Sequence, residues 1–210
     1  MRARLFFVFL APVLLAACTA VGERTQLSVA YYMIAGNSFD EFDQQIAVHG
    51  PNVMGVGRAL AATNVRMIPD FRFAQRNGEC HVVSARVSVQ AHVTLPKLRS
   101  QQSLRAELSR AWDSLEHYAR LHEWVHVAIA DSHALQAEEA IRALPPRPAC
   151  EAIRAEALAV FKKMMADHQR DQLQFDREER GRIAMLVQKT RLESAPATSE
   201  EPPVEPAVTQ

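Results

Sequence analysis

The sequence predicts an α+β domain: a small antiparallel or mixed β-sheet with one short helix, followed by a long two-helix hairpin. Three observations predict it. Residues 83–95 alternate apolar and polar, the period of a strand with one buried face, and they follow Asn77-Gly78, the strongest short hairpin signal. From Leu104 to about Leu144 apolar side chains recur three and four apart, the period of an amphipathic helix. Then "LPPRPAC" interrupts, and a second helical stripe of Ile153, Ala157, Phe161, Met164, His168, Gln172 and Phe175 begins. A short proline-rich link of this kind brings two helices back antiparallel.

The chain starts with a signal. In "MRARLFFVFLAPVLLAAC", Arg2 and Arg4 precede an apolar run from Leu5 to Ala17 that is too short to span a bilayer, the layout of a secretory signal. The run ends in Leu15-Ala16-Ala17-Cys18, which resembles the bacterial lipobox. Residues 1–18 therefore read as a lipoprotein signal peptide with Cys18 lipidated, and Thr19 resembles the sorting position of outer-membrane lipoproteins. The expected place is the bacterial cell envelope, lipid-anchored and facing the periplasm. Across 210 residues, 24 Lys and Arg balance 24 Asp and Glu. Without a basic excess to neutralise phosphates, no nucleic-acid partner is expected.

The folded unit is residues 26–192, and residues 193–210, rich in Pro, Glu, Ser and Thr, lack the apolar side chains to fold. Within the unit, residues 26–34 read as a strand. Ser38 and Glu41 are spaced as a capping box for a short helix that Gly50-Pro51 stops. In the strand after the hairpin turn, Val83, Ala85, Val87, Val89, Ala91, Val93 and Leu95 form the buried face, His81 and His92 lie on the wet face, and Pro96 ends the strand. Ser100 or Ser103 can cap the first long helix, and the second runs from about Glu151 into the 180s. With Cys18 lipidated, Cys80 and Cys150 are an even pair in an oxidising compartment, and antiparallel packing of strand and helix brings both to one end. A disulfide between them is expected.

The chemistry sits in "LHEWVH". His122 and His126, four apart on the first long helix, lie one above the other and can present two imidazole nitrogens to one Zn²⁺, with Glu123 beside them as general base. Both histidines interrupt an apolar stripe, where an unpaired imidazole is costly to desolvate and a metal removes the cost. A pair of hydrogen-bonded core histidines is the alternative. His133 stands about 10 Å further along a helix with no Gly to break it, so it reads as a core or boundary residue. A hairpin turn centred near Pro146 puts residues 167–171 level with the motif. The register thus offers His168 as third ligand, Asp171 as its neighbour, and Asp176 only if the helices are staggered.

Several landmarks together resemble a family of bacterial secreted proteins, domain of unknown function 922, described as predicted zinc-dependent proteases. They are "YYMIAG" and "SFDEF", Gly50-Pro51, "TLP" at 94–96, Trp112, "HEWVH", Cys150 and "QLQFD" at 172–176. The resemblance implies a zincin-like peptidase with His122 and His126 as ligands, Glu123 as base and a peptide or protein substrate. Where the family pattern continues past Phe-Asp to a Thr and a His-Gly, this chain reads Arg177 to Gly181. The resulting expectation is a lipid-anchored zinc peptidase. Its rival is a catalytically inactive zincin-like envelope lipoprotein acting in binding or assembly.

Overall fold

The structure, a computed structural model, describes residues 24–101 and 103–194. The signal segment with Cys18, and the tail beyond residue 194, lie outside the described residues. In chain order the elements are β1 (Thr25–Ile34), α1 (Phe39–His49), β2 (Asn52–Val53), β3 (Gly57–Arg58), β4 (Ala62–Arg76), β5 (Glu79–Leu98), α2 (Ala106–Arg142) and α3 (Cys150–Ser194). The main sheet has the order β1-β5-β4, with β1 parallel and β4 antiparallel to β5, and β2 and β3 form a separate small ribbon. The expected α+β class with a mixed sheet and a long helical pair is what the chain forms. None of the described helices is long and apolar enough to cross a membrane.

Asn77 and Gly78 both take positive φ, 53° and 85°, as a type I′ hairpin turn requires, and Arg76 pairs with Glu79 across it. The expected buried face of β5 holds from Ala85 to Leu95 but not at Val83. The register jumps between Arg72 and Phe73, which pair with Ser84 and Val82, so Val83 falls in a bulge and is 50 % exposed. Pro96 does not end β5, which runs on to Leu98 with Pro96 buried. The backbone N–H groups of Val89 and Arg99 donate toward the β1 side. By the alternation of a strand, the nitrogen of Pro96 faces the β4 side, where β4 begins only opposite Thr94. The missing donor breaks no ladder there.

Ser38 caps α1 as expected, its side chain accepting from the Glu41 N–H at 3.3 Å, while Glu41 Oε2 accepts from the Asn37 N–H. Neither Ser100 nor Ser103 caps α2, whose N-cap is Arg105 and makes no side-chain capping bond. α2 lies across the sheet. Its Ala130, Ala134 and Ala137 pack on Met67, Val87 and Val89, and its Leu108, Trp112 and Leu115 close a second cluster with Ile34, Phe42 and Leu98. The alanines matter because small side chains let a helix sit close on a strand. Where β1 has not yet begun, β5 has bare backbone on that side: Glu138 accepts from the Val87 N–H at 2.9 Å and Arg142 donates to the Ala85 carbonyl.

α2 and α3 are antiparallel and staggered. Tyr118 bonds Glu179, His126 bonds Gln172, and Ile141 shares a cluster with Ala157. Level by level, residues 150–155 of α3 overhang the end of α2 by about 9 Å. The link does not double straight back. Arg147 and Cys80 exchange both backbone hydrogen bonds, at 2.6 and 3.0 Å, and Cys80 is joined to Cys150 by a disulfide with Cα atoms 5.1 Å apart. The chain travels on past α2 to reach the start of β5, and only there does α3 begin.

Candidate metal centre

Because residues 122 and 126 are four apart on an uninterrupted helix, both imidazoles leave α2 on the side that faces α3. Their Nε2 atoms are 3.2 Å apart. From α3, Asp176 Oδ1 reaches to 3.0 Å from His126 Nε2 and 3.4 Å from His122 Nε2. Among the described residues, His122, His126 and Asp176 are the group whose ligand atoms converge on a common point. Phe175 walls the site, stacked on His122 at 4.7 Å and edge-on to His126 at 5.1 Å.

The stagger decides which α3 residue meets the pair. His168, favoured by symmetric counting from Pro146, sits more than a turn away. Its Nε2 contacts the Gln172 amide nitrogen at 2.8 Å and its ring lies 5.7 Å from that of His133. Asp171 is engaged by His133 Nε2 at 2.8 Å, so it too is drawn away from His122 and His126. The third place falls to Asp176, the residue that required staggered helices. His133 is a buried boundary residue, as expected, with Met164 Sδ near its other nitrogen.

Glu123 points elsewhere. One residue round the helix from His122, its carboxylate is 5 % exposed beneath α2 and Oε2 accepts a hydrogen bond from Thr63 Oγ1 of β4 at 2.7 Å. Burial pushes its carboxyl up, and Asp176 adds to this, against the opposing pull of Thr63 and His126. Burial and then the neighbouring His126 lower the pKa of His122, against Asp176 and Glu179, so its imidazole is held neutral, the form a metal ligand needs. His122 Nδ1 is buried with no hydrogen-bond partner among the described residues. At the far end Tyr118 donates to Glu179, and burial followed by that bond pushes the Tyr118 hydroxyl up to about 12.

The donor set fits a metal. Two imidazoles and one carboxylate are a known ligand set of catalytic zinc. Three atoms bound tetrahedrally at about 2.0–2.1 Å stand roughly 3.3–3.4 Å from one another; the three pairs here span 3.0 to 3.4 Å. Thr63 and the part played by Gln172 were not foreseen from the sequence. A signal existed in "QLQFD", where Gln172 and Asp176 are four apart, the spacing of the two histidines they meet.

Fold and site together define an α+β protein with a candidate metal centre seated between two antiparallel helices. A family described as bacterial protein of unknown function, DUF922, matches residues 29–182, and the chain belongs to it. No curated protein and no solved structure matches the chain.

Proposed function

We propose that the chain is a zinc-dependent peptidase of the bacterial cell envelope, lipid-anchored through Cys18 at the outer membrane and facing the periplasm. Its ligands are His122, His126 and Asp176, and its base is Glu123. The observation that carries the reading is the triangle of ligand atoms, whose edges of 3.0, 3.2 and 3.4 Å are close to those of a tetrahedral zinc site. When bound, zinc supplies a Lewis acid that acidifies water and polarises a carbonyl. With zinc held, Glu123, released from Thr63 and turned toward the site, would take a proton from the attacking water as the new carbon–oxygen bond forms and return it to the leaving amine as the peptide bond breaks. Phe175 shields the imidazoles from bulk water on one side. A cavity of about 350 Å³ further along α2, lined by Val125, Ala128 and Ile129 beside His133 and Asp171 and by none of the ligands, would take part of the peptide.

The test is metal content of protein purified without chelator, with His122→Ala alongside, and peptide cleavage by the same preparations. Stoichiometric zinc that His122→Ala loses is expected; protein without stoichiometric zinc overturns the reading. A second reading, a zinc-holding envelope protein without turnover, is favoured by one observation: the Glu123 carboxylate is held by Thr63. Zinc without peptide cleavage supports that one.

A further inference from the structure

Gln172 makes three hydrogen bonds, and together they leave one consistent arrangement of hydrogens. Its Nε2 lies 2.9 Å from the backbone carbonyl of His126. A carbonyl oxygen only accepts, so the amide nitrogen, not its oxygen, faces it. The other amide hydrogen then points to His168 Nε2 at 2.8 Å, which must accept. That leaves Gln172 Oε1 against His126 Nδ1, and an amide oxygen has no hydrogen to give. Nδ1 of His126 must therefore carry a hydrogen.

We propose that Gln172 is a positioning residue that fixes a hydrogen on Nδ1 of His126 and so turns Nε2, the other ring nitrogen, to the point shared with His122 Nε2 and Asp176 Oδ1. The hydrogen on Nδ1 follows from the bonds of Gln172; at Nε2 the Asp176 carboxylate, 3.0 Å away, only accepts, so a bare lone pair suits that place only with a cation between them, and that use in holding zinc rests on the function proposed above. His122 differs, because its Nδ1 has no such partner among the described residues. The two ligands are unequal. His126 is oriented through its Nδ1 before a metal arrives, and His122, whose ring is stacked on Phe175, has no such bond behind it. His168, accepting from the same amide, keeps the Gln172 side chain from turning over.

The full chain, metal-free and labelled with nitrogen-15 histidine, tests this. Two-bond nitrogen–proton correlations report which ring nitrogen bears the hydrogen, and the His126 signals are identified by their loss in His126→Gln. Wild type is expected to show His126 with hydrogen on Nδ1. Gln172→Leu, which keeps size but removes the acceptor, is expected to shift His126 toward the Nε2–H form that free imidazoles favour. Gln172→Glu, which keeps an acceptor, is expected to retain Nδ1–H. A packing role would instead make Leu the milder change. In zinc titration, Gln172→Leu is expected to weaken binding by about 10- to 100-fold. Nδ1–H retained in Gln172→Leu, no hydrogen on Nδ1 of wild-type His126, or unchanged zinc affinity in Gln172→Leu overturns the proposal. If wild type binds no zinc, the peptidase reading falls while the tautomer result stands by itself.

Discussion

Glu138 carries more of the fold than its exposure to solvent suggests. Its side chain is 5 % exposed, and it accepts from Arg24, from the Val87 N–H and from Arg142. Burial pushes its carboxyl up, but those hydrogen bonds and the two guanidinium charges outweigh burial and bring it below the ordinary 4.5. A depressed folded pKa stabilises the fold fully above the unfolded value, and the contribution is lost as pH falls through the folded one. Glu138→Gln should therefore lower stability by about 2 kcal/mol at about pH 7, in the range of hydrogen bonds to charged groups. Urea midpoints should show that gap narrowing in acid, as pH falls below the ordinary 4.5 and through the depressed folded value. At the centre itself, Glu123→Gln should retain zinc, because Gln keeps the shape, and abolish cleavage, because an amide cannot accept the proton. Loss of zinc from that variant would make Glu123 a support of the site and not its base.

At the scale of elements, periodicity was a good guide wherever one face of a strand or helix meets the core. It gave the hairpin, the alternation from Ala85 to Leu95 and the uninterrupted helix that keeps His133 away from His126. It could not give the stagger of α2 against α3. Both helices rise equally per residue, so counting from Pro146 is right only if the link reverses at once. Here the backbone exchange between Arg147 and Cys80 draws the link outward first. That contact joins residues 67 apart in sequence and leaves no local trace. Val83 failed for a kindred reason, since a bulge is written in the pairing with Arg72 and Phe73 and not in β5 alone. The stagger makes a prediction: Asp176→Asn should weaken zinc binding by an order of magnitude or more, and His168→Ala by much less. Equilibrium dialysis of the two variants reads the difference. The opposite ranking would mean that the helices pair in the unstaggered register.

For the whole molecule, the disulfide is what holds the hairpin to the sheet at one end. Cys80 and Cys150 are 70 residues apart, and a cross-link of that span stabilises by about 4 kcal/mol on the chain-entropy argument. Cys80→Ala with Cys150→Ala should lower thermal stability accordingly, measured against the oxidised protein. The other end is held by α1, whose Asp40 and Asp43 bond Arg191 of α3. Between these clamps the seam of α2 and α3 is filled by Tyr118, Glu179, His122, His126, Asp176, Gln172, His168, His133 and Asp171, a polar seam where a helical hairpin ordinarily buries leucines. Zinc should raise the unfolding temperature of wild type and leave His126→Ala unmoved, since a ligand that binds only the folded state stabilises it.

The bond between Arg24 and Glu138 also sets a working radius. It pins the start of the described chain to α2, six residues after Cys18. Six residues extend at most about 20 Å. With lipid on Cys18, the backbone of Arg24 would be held within about that distance of the bilayer surface, and Glu138 a side-chain pair further on. The motif at His126 is twelve residues back along α2, about 18 Å away. On the proposed function the centre would then lie within roughly 50 Å of the membrane, a reach that raises the effective concentration of peptides displayed at the membrane face of the envelope.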